Sequence, residues 1–301
     1  MTENVFVTIV GRANAGKSSL MNRLVGEKIA MVSSKPQTTR TKITGILTKG
    51  EVQYVFMDTP GVHKAKTKLG EYMMEAVKES VADVDIAVLM VDASKPIGDA
   101  ERTITDRLRA MRTPAILVIN KIDLLKNKED VATIIASATE LYDFAAVVPA
   151  SVVRDDGIDL IMMEIDKFAT EGPHFFPDDM LTDQPERVLA AEIVREKILR
   201  LMRDEIPHGI AVTIEEMRER EDKDILDVSA VIFCEKDSHK GMLIGKGGEM
   251  LKKIGTLARE DLERFFEIKV NLKCWIKVKE DWRNKEAMIK NFGLSNNSNN
   301  M

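Results

Sequence analysis

The stretch Gly11-Arg12-Ala13-Asn14-Ala15-Gly16-Lys17-Ser18 constrains this chain more than any other. It follows directly on the apolar run Val5-Phe6-Val7-Thr8-Ile9-Val10 and precedes the helical pattern Leu20-Met21-Leu24-Val25. A G-x-x-x-x-G-K-S run between a strand and a helix has the context of a phosphate-binding loop. Its glycines let the backbone close around an anion, so that N–H groups and the next helix N-terminus point at phosphate oxygens. On this reading Gly11 to Ser19 cradle the phosphates. Lys17 reaches the β- and γ-phosphates, and the Ser18 hydroxyl ligates Mg²⁺.

The loops that follow fit the same ligand in order. Residues 33–41 are polar and threonine-rich, so Thr38 or Thr39 can supply a hydroxyl to Mg²⁺. The runs 43–48 and 52–57 flank Lys49-Gly50-Glu51 as a β-hairpin. The second run ends in Asp58-Thr59-Pro60-Gly61, where a carboxylate can hold Mg²⁺ and a glycine N–H can sense a γ-phosphate. After a helix over 69–82, a strand over 86–91 and a helix over 99–111, the strand 115–119 runs into Asn120-Lys121-Ile122-Asp123. Asp123 can accept both N–H donors on the Watson–Crick edge of guanine. Adenine lacks that pair, and a site built to receive it penalises a ligand without it by roughly 10⁴-fold or more. Lys121 lays its stem over the base, and Asn120 ties this loop to the phosphate loop. Helix 130–141, strand 145–148, the loop Pro149-Ala150-Ser151-Val152 and helix 157–168 complete the pattern; Ser151 and Val152 would touch the base through backbone N–H groups. The alternation predicts an α/β domain with a mixed, mostly parallel sheet and one hairpin-added antiparallel strand.

Around residues 171–179 the periodicity breaks into prolines and acids, which marks a linker. His174 and its adjacent phenylalanines pack this connector. The expected boundaries are a nucleotide domain over 1–172, a linker over 173–186, a smaller α+β domain over 187–285 and a tail over 286–301 whose polar end has nothing to bury. The smaller domain has a helix over 189–205, strands over 210–214 and 226–233, and a glycine loop, Gly245-Lys246-Gly247-Gly248, between two short helical segments. Lys240, Ile244 and Lys252 lie beside that loop. A G-x-x-G clamp of this kind holds four nucleotides of single-stranded RNA against a bare backbone. Along the strand 268–279, Val270, Leu272, Ile276 and Val278 alternate with Lys269, Lys273, Lys277 and Lys279, with Trp275 on the cationic face.

A formal net charge of −5 excludes indiscriminate nucleic-acid binding through bulk charge, so any RNA site is a local basic patch. Cys234 and Cys274, the two cysteines, fall inside strands and read as buried reduced thiols. No basic-then-apolar leader opens the sequence, which predicts no signal peptide, and no apolar run approaches bilayer length.

With these residues in hand, the chain resembles the bacterial Era family of GTPases. The resemblance rests on Gly11 to Ser18, Pro36-Gln37-Thr38-Thr39-Arg40, Asp58-Thr59-Pro60-Gly61-Val62-His63, Asn120-Lys121-Ile122-Asp123, Lys240 to Gly255 and the linker Phe175-Phe176-Pro177-Asp178-Asp179. It implies a GTPase that binds GTP, GDP and Mg²⁺, assists small ribosomal subunit maturation and holds the 3′ end of 16S rRNA in a C-terminal KH domain of type II. It further implies a cytoplasmic monomer with peripheral contact at the inner membrane. By the resemblance Thr39 rather than Thr38 joins Ser18 and Asp58 on Mg²⁺, and Lys17, Asn14 and Thr39 serve the reaction.

Two residues depart from the family's pattern: Val152 stands where an alanine is usual, and Gln184 where an arginine is common. Val62 occupies the place where Ras-type enzymes keep a water-orienting glutamine, so intrinsic hydrolysis should be slow, on the order of 10⁻⁴ to 10⁻³ per second. Asn14 stands where similar potassium-activated GTPases hold K⁺, which implies K⁺ as a further cofactor; the competing role is an asparagine that stabilises its own loop. Two rival classes are an RNA-binding assembly factor with a decayed nucleotide domain, and a membrane-acting GTPase. Intact Lys17, Ser18, Asp58 and Asp123 argue against decay.

Overall fold

A computed structural model describes residues 1–33, 35, 38–62, 65, 67–80, 84–127, 129–202 and 206–294, with only the backbone at 129 and 207. Pro36, Gln37 and His63 of the family resemblance lie outside the described residues, as does the end of the chain from residue 295. Two compact units result. The first comprises Met1–Ala30, Thr39–Ala65 and Gly70–Asp183; the second runs from Gln184 and takes in the short pieces Met31–Thr38 and Lys66–Leu69.

The first unit follows the order β1 (Glu3–Gly11), α1 (Lys17–Val25), β2 (Ile43–Lys49), β3 (Val52–Asp58), α2 (Lys68–Glu79), β4 (Ile86–Asp92), α3 (Asp99–Met111), β5 (Ala115–Asn120), α4 (Glu129–Thr139), β6 (Ala146–Pro149), α5 (Ile158–Asp166) and β7 (Thr170–Glu171). Its sheet runs β2-β3-β1-β4-β5-β6, with the two-residue β7 antiparallel on β1. Only β2, joined to β3 by the hairpin, is otherwise antiparallel. Every residue of β4 and β5 is buried. Strands covered by helices on both faces need continuous apolar sequence, and Ile86 to Val91 and Ala115 to Ile119 provide it. Because β1 lies between β3 and β4, the loop that leaves it at Gly11 is flanked by the carboxyl ends of both; Ile9 stands opposite Asp58, and Asp92 opposite Asn120. In parallel α/β sheets, ligands bind at that edge.

The sequence reads the connector at 173–186 as a linker, and the structure docks most of it on the first unit. Buried Gln53 accepts the amides of Phe175 (2.8 Å) and Phe176 (3.0 Å) and donates to the Phe176 carbonyl (2.8 Å). His174 Nδ1 meets the Asp178 carboxylate at 2.6 Å, and its other ring nitrogen meets the Glu51 carbonyl at 3.0 Å. These contacts raise its pKa, the carbonyl first, and assign it to packing.

The second unit contains α6 (Glu186–Leu201), β8 (Ala211–Glu219), β9 (Ile225–Cys234), α7 (Asp237–Ile244), α8 (Glu249–Phe266), β10 (Lys269–Val278) and α9 (Glu286–Asn291). Its sheet has the order β10-β9-β8: β8 and β9 are antiparallel, and β9 reaches a parallel β10 through the α7–α8 crossover. Ile254, Ala258 and Leu262 recur every four residues along α8 and are fully buried against Val228, Ala230 and Ile232 of β9.

Several sequence expectations need correction here. The helix expected over 189–205 ends at Leu201, and 203–205 lie outside the described residues; likewise the one expected over 69–82 is described to Glu79. Of the two short helical segments around the glycine loop, α8 spans 18 residues. The tail does not begin at 286. Residues Glu286–Asn291 form α9, whose Ile289 is fully buried, and Phe292 packs its ring on Phe233 (4.6 Å) and Trp282 (5.2 Å). Of the four apolar residues in 286–292, Ala287, Met288, Ile289 and Phe292, it is buried Ile289 and the ring of Phe292 that dock this short helix. Ile289→Ala should therefore destabilise the second unit by about 2–5 kcal/mol in urea unfolding followed by tryptophan fluorescence. A loose tail from 286 would leave the midpoint unmoved.

Candidate functional site

Backbone geometry and cross-loop contacts shape the phosphate loop. Gly16 opens α1 in the left-handed region (φ 107°), and a Cβ there would stand 2.3 Å from the Asn120 amide nitrogen. No other residue fits between the loop and β5. Asn14 is also left-handed (φ 65°), a conformation asparagine tolerates better than most residues. Its carbonyl accepts the Lys121 ammonium at 2.7 Å.

Lys17 is 6% exposed, and its Nζ donates to the carbonyls of Gly11 and Arg12, each at 3.2 Å. Burial lowers its pKa, and only the nearby Asp58 opposes this. The ammonium is thus enclosed by neutral dipoles, an arrangement that an entering anion would relieve.

Beside it lies a cluster of oxygens. Asp58 ends β3 fully buried, and its Oδ2 accepts the Ser18 hydroxyl at 2.5 Å and the Thr39 hydroxyl at 3.4 Å. The Ser18 and Thr39 hydroxyls are 2.9 Å apart. Asp58 Oδ1 is buried with no hydrogen-bond partner among the described residues, and burial raises the pKa of this carboxyl. Two hydroxyls and an orphaned carboxylate oxygen are the hard oxygen donors that Mg²⁺ takes. Thr38 does not join them; its hydroxyl donates to the Lys35 carbonyl at 2.6 Å. Thr59 anchors the following turn on the Ile9 carbonyl (2.9 Å), ahead of buried Pro60 and Gly61.

The base-reading loops are joined to the phosphate loop by side chains. Asn120 donates to the Ala15 carbonyl at 2.8 Å and accepts the Val152 amide at 3.1 Å. The Val152 amide, expected to meet a base, donates to the Asn120 side chain instead. Ser151 donates to Asp123 at 2.6 Å and fixes the carboxylate.

Two contributors escaped the sequence reading. Asp92, buried at the end of β4, binds the Lys121 ammonium at 2.7 Å. Burial alone would raise its carboxyl, but the hydrogen bonds from Lys121 and Ser94 hold it below the ordinary range. An acid closing an otherwise apolar buried strand was its signal. Glu101, 1% exposed in the first turn of α3, binds the Arg12 guanidinium through both carboxylate oxygens and caps the Gly98 amide at 2.9 Å. Its partner is 89 positions away in sequence, so no local pattern announces it.

In the second unit the glycine loop lies between α7 and α8. Gly245 (φ 73°) is required by a close approach: a Cβ there would meet the Met250 backbone nitrogen at 2.9 Å. Lys246 and Lys252 are exposed, while Lys240 and Ile244 are half-buried, and Gly247 and Gly248 face open space. A groove of about 410 Å³ continues from Gly248 along Leu251, Lys252, Gly255, Thr256 and Arg259, over a floor of Leu272 and Cys274. Burial pushes the Cys274 thiol up to about 11, so it is chemically quiet. No described helix is long and apolar enough to cross a membrane.

Family models and known proteins match both units. A family model described as 50S ribosome-binding GTPase matches residues 6–121, and a KH domain model matches 205–283. The GTPase Era of Clostridioides difficile (strain 630) is 52% identical over 299 residues, covering 98% of this chain and 99% of that protein. The GTPase Era of Ruminiclostridium cellulolyticum is 48% identical over 294 residues, with 98% of each covered. Among solved structures, Era in complex with MgGDPNP and nucleotides 1506–1542 of 16S ribosomal RNA superposes with a TM-score of 0.94 at 36% identity, over 98% of this chain and all of that one. An Aquifex aeolicus Era variant bound to GDP and AlF₄⁻ gives the same score, identity and coverage.

Proposed function

Because this chain belongs to the Era family of GTPases, we propose that it is a GTP-hydrolysing switch that binds the 3′ end of 16S rRNA and assists assembly of the small ribosomal subunit. The observation that carries the reading is the buried oxygen cluster of Ser18, Thr39 and Asp58 beside an ammonium enclosed by carbonyls. The related Era that holds MgGDPNP and nucleotides 1506–1542 supports the RNA part.

Each residue takes a role from its position. Asp123, held by Ser151, accepts the two N–H donors of guanine, while Lys121, pinned by Asp92, covers the base. Asn120 keeps that pocket in register with the phosphate loop. Backbone amides from Arg12 to Ser19 meet the phosphates, and Lys17 regains a charge partner that its burial denies it. Ser18, Thr39 and Asp58 would hold Mg²⁺, which supplies charge neutralisation between the β- and γ-phosphates. Thr39 takes this place over Thr38 because the Thr38 hydroxyl is already committed to Lys35. The Gly61 amide senses the γ-phosphate, and Thr59 and Pro60 fix its approach. Val62 cannot orient a water, so turnover is slow without help. Asn14 carries a side-chain oxygen donor in the phosphate loop, suited to K⁺ near the transferring group. In the KH domain, Gly245 to Gly248 clamp the RNA backbone with Lys246, Lys252, Lys240 and Ile244 around it. The protein works as a cytoplasmic monomer that meets the inner membrane peripherally.

Asp123→Asn replaces an acceptor with a group that also donates. GTP affinity should fall by roughly 10⁴-fold while xanthosine triphosphate, with a carbonyl in place of the guanine amine, gains. Unchanged GTP affinity would remove Asp123 from the base site. For K⁺, the variant to test is Asn14→Gly, which keeps the left-handed backbone and loses only the side-chain oxygen. Single-turnover hydrolysis should run faster in K⁺ than in Na⁺ in the parent and equally slowly in both in Asn14→Gly. A K⁺ advantage that survives the substitution would leave Asn14 with a purely conformational role.

A further inference from the structure

The alternation along β10 divides it into two faces. Val270, Leu272, Cys274, Ile276 and Val278 face the core and α8, the side on which the glycine loop and its groove lie. Lys269, Asn271, Lys273, Trp275 and Lys277 face the other way. Trp275 is 58% exposed, whereas the chain's other tryptophan, Trp282, is fully buried with its indole N–H on the Gly209 carbonyl. An indole left in water forgoes a large hydrophobic gain, so its exposure asks for a reason.

Its surroundings suit a flat, anionic ligand. Trp275 stands beside Val231 of β9, which stands beside Thr213 of β8, so the indole has only small side chains in its row. In the next row on one side lies Phe233, capped by Phe292; on the other lies Ser229. Lys273 and Lys277 flank the indole two residues away, about 6.7 Å along the strand in each direction. Lys273 makes no ion pair among the described residues. Lys277 meets Glu215 at 3.0 Å and Lys269 meets Glu263 at 3.6 Å, both with exposed ammonium groups. Exposed pairs of this kind contribute roughly 0–1 kcal/mol, so a phosphate can displace the carboxylate at little cost. The remaining acids are Glu216, across the sheet from Lys273, and Asp227, whose charge is taken by Arg220 (2.7 Å) and Asn271 (2.6 Å). On a chain of net charge −5, this strand places two ammonium groups, those of Lys273 and Lys277, on either side of one exposed aromatic ring.

We infer that this outer sheet face is a second contact for single-stranded RNA, in which one unpaired base stacks on Trp275 and Lys273 and Lys277 meet the phosphates on either side. The inference rests on the RNA-binding reading above and extends it. A glycine clamp holds about four nucleotides, and the RNA bound by the related Era runs from nucleotide 1506 to 1542. An RNA of that length has ample chain to reach beyond the clamp. Base–aromatic stacking on a sheet face tolerates any sequence, because every base has a π-face.

The test uses the full chain and an RNA of 16S nucleotides 1506–1542. Trp275→Ala should weaken binding about 5- to 100-fold, and Trp275→Phe, which keeps an aromatic face, should restore most of it. Gly247→Asp places a carboxylate in the clamp at a backbone conformation that aspartate tolerates. Its effect and that of Trp275→Ala should multiply, since the two sites lie on opposite faces. In the parent, RNA should protect Trp275 fluorescence from acrylamide, with buried Trp282 unresponsive. Matching urea midpoints exclude misfolding as the cause. Parent-like RNA affinity in Trp275→Ala, with Gly247→Asp weakened, would overturn this second contact and leave the clamp standing. A parent that does not bind the RNA at all would overturn both. Loss of binding to phosphatidylglycerol vesicles in Trp275→Ala, with RNA affinity unchanged, would reassign the face to lipid and equally overturn the proposal.

Discussion

An ammonium group shut away from water at the carboxyl edge of the sheet governs the first unit. Lys17 is buried among carbonyls, and its nearest opposite charge is the equally buried Asp58. Burying a charge without a hydrogen-bonded counter-ion is costly, and folding alone gives no reason to keep it. The surrounding structure holds this unfavourable arrangement in place: Asn120 grips the loop at Ala15, Lys121 at Asn14, and Arg12 is tied down by Glu101. Three side chains from other elements therefore hold the loop, and to that extent binding energy need not be used to order it. The side chains that brace the loop, Asn120 and Lys121, belong to the same segment as Asp123, the residue proposed to select the base.

How much of this was legible in sequence depends on how local each determinant is. Strand, loop and helix around Gly16, the hairpin at Gly50, and the run from Ile119 into Asn120 all follow from neighbouring residues. Asp92 and Glu101 were missed because their partners, Lys121 and Arg12, are brought near only by the sheet order. The choice between Thr38 and Thr39 could not be made from spacing; it depends on which hydroxyl the loop turns toward Lys35 and which toward Ser18. Val152 was expected to address the base through its amide, yet that amide serves Asn120.

In the second unit the sequence pattern located the glycine loop and the two faces of β10, since period-two alternation survives any detail of packing. It misplaced the end of the domain. The apolar residues Ala287, Met288, Ile289 and Phe292 form too short a run to fix a period, but the rings of Phe233 and Trp282 give Phe292 a surface to dock on. In the connector, the packing expected of His174 and the phenylalanines takes a form that no local pattern shows: Gln53 binds Phe175 and Phe176 from more than 120 positions away, and His174 meets the Glu51 carbonyl.

The central claim is that Lys17 is retained at a cost to the folded state because a triphosphate needs it. Lys17→Met keeps much of the length and removes the charge, so the decisive measurement is paired calorimetry on that variant, its melting temperature without nucleotide and its titration with MgGDPNP. The variant should melt above the parent and show no detectable binding. A variant that melts lower than the parent and still binds MgGDPNP with parental affinity would contradict that claim.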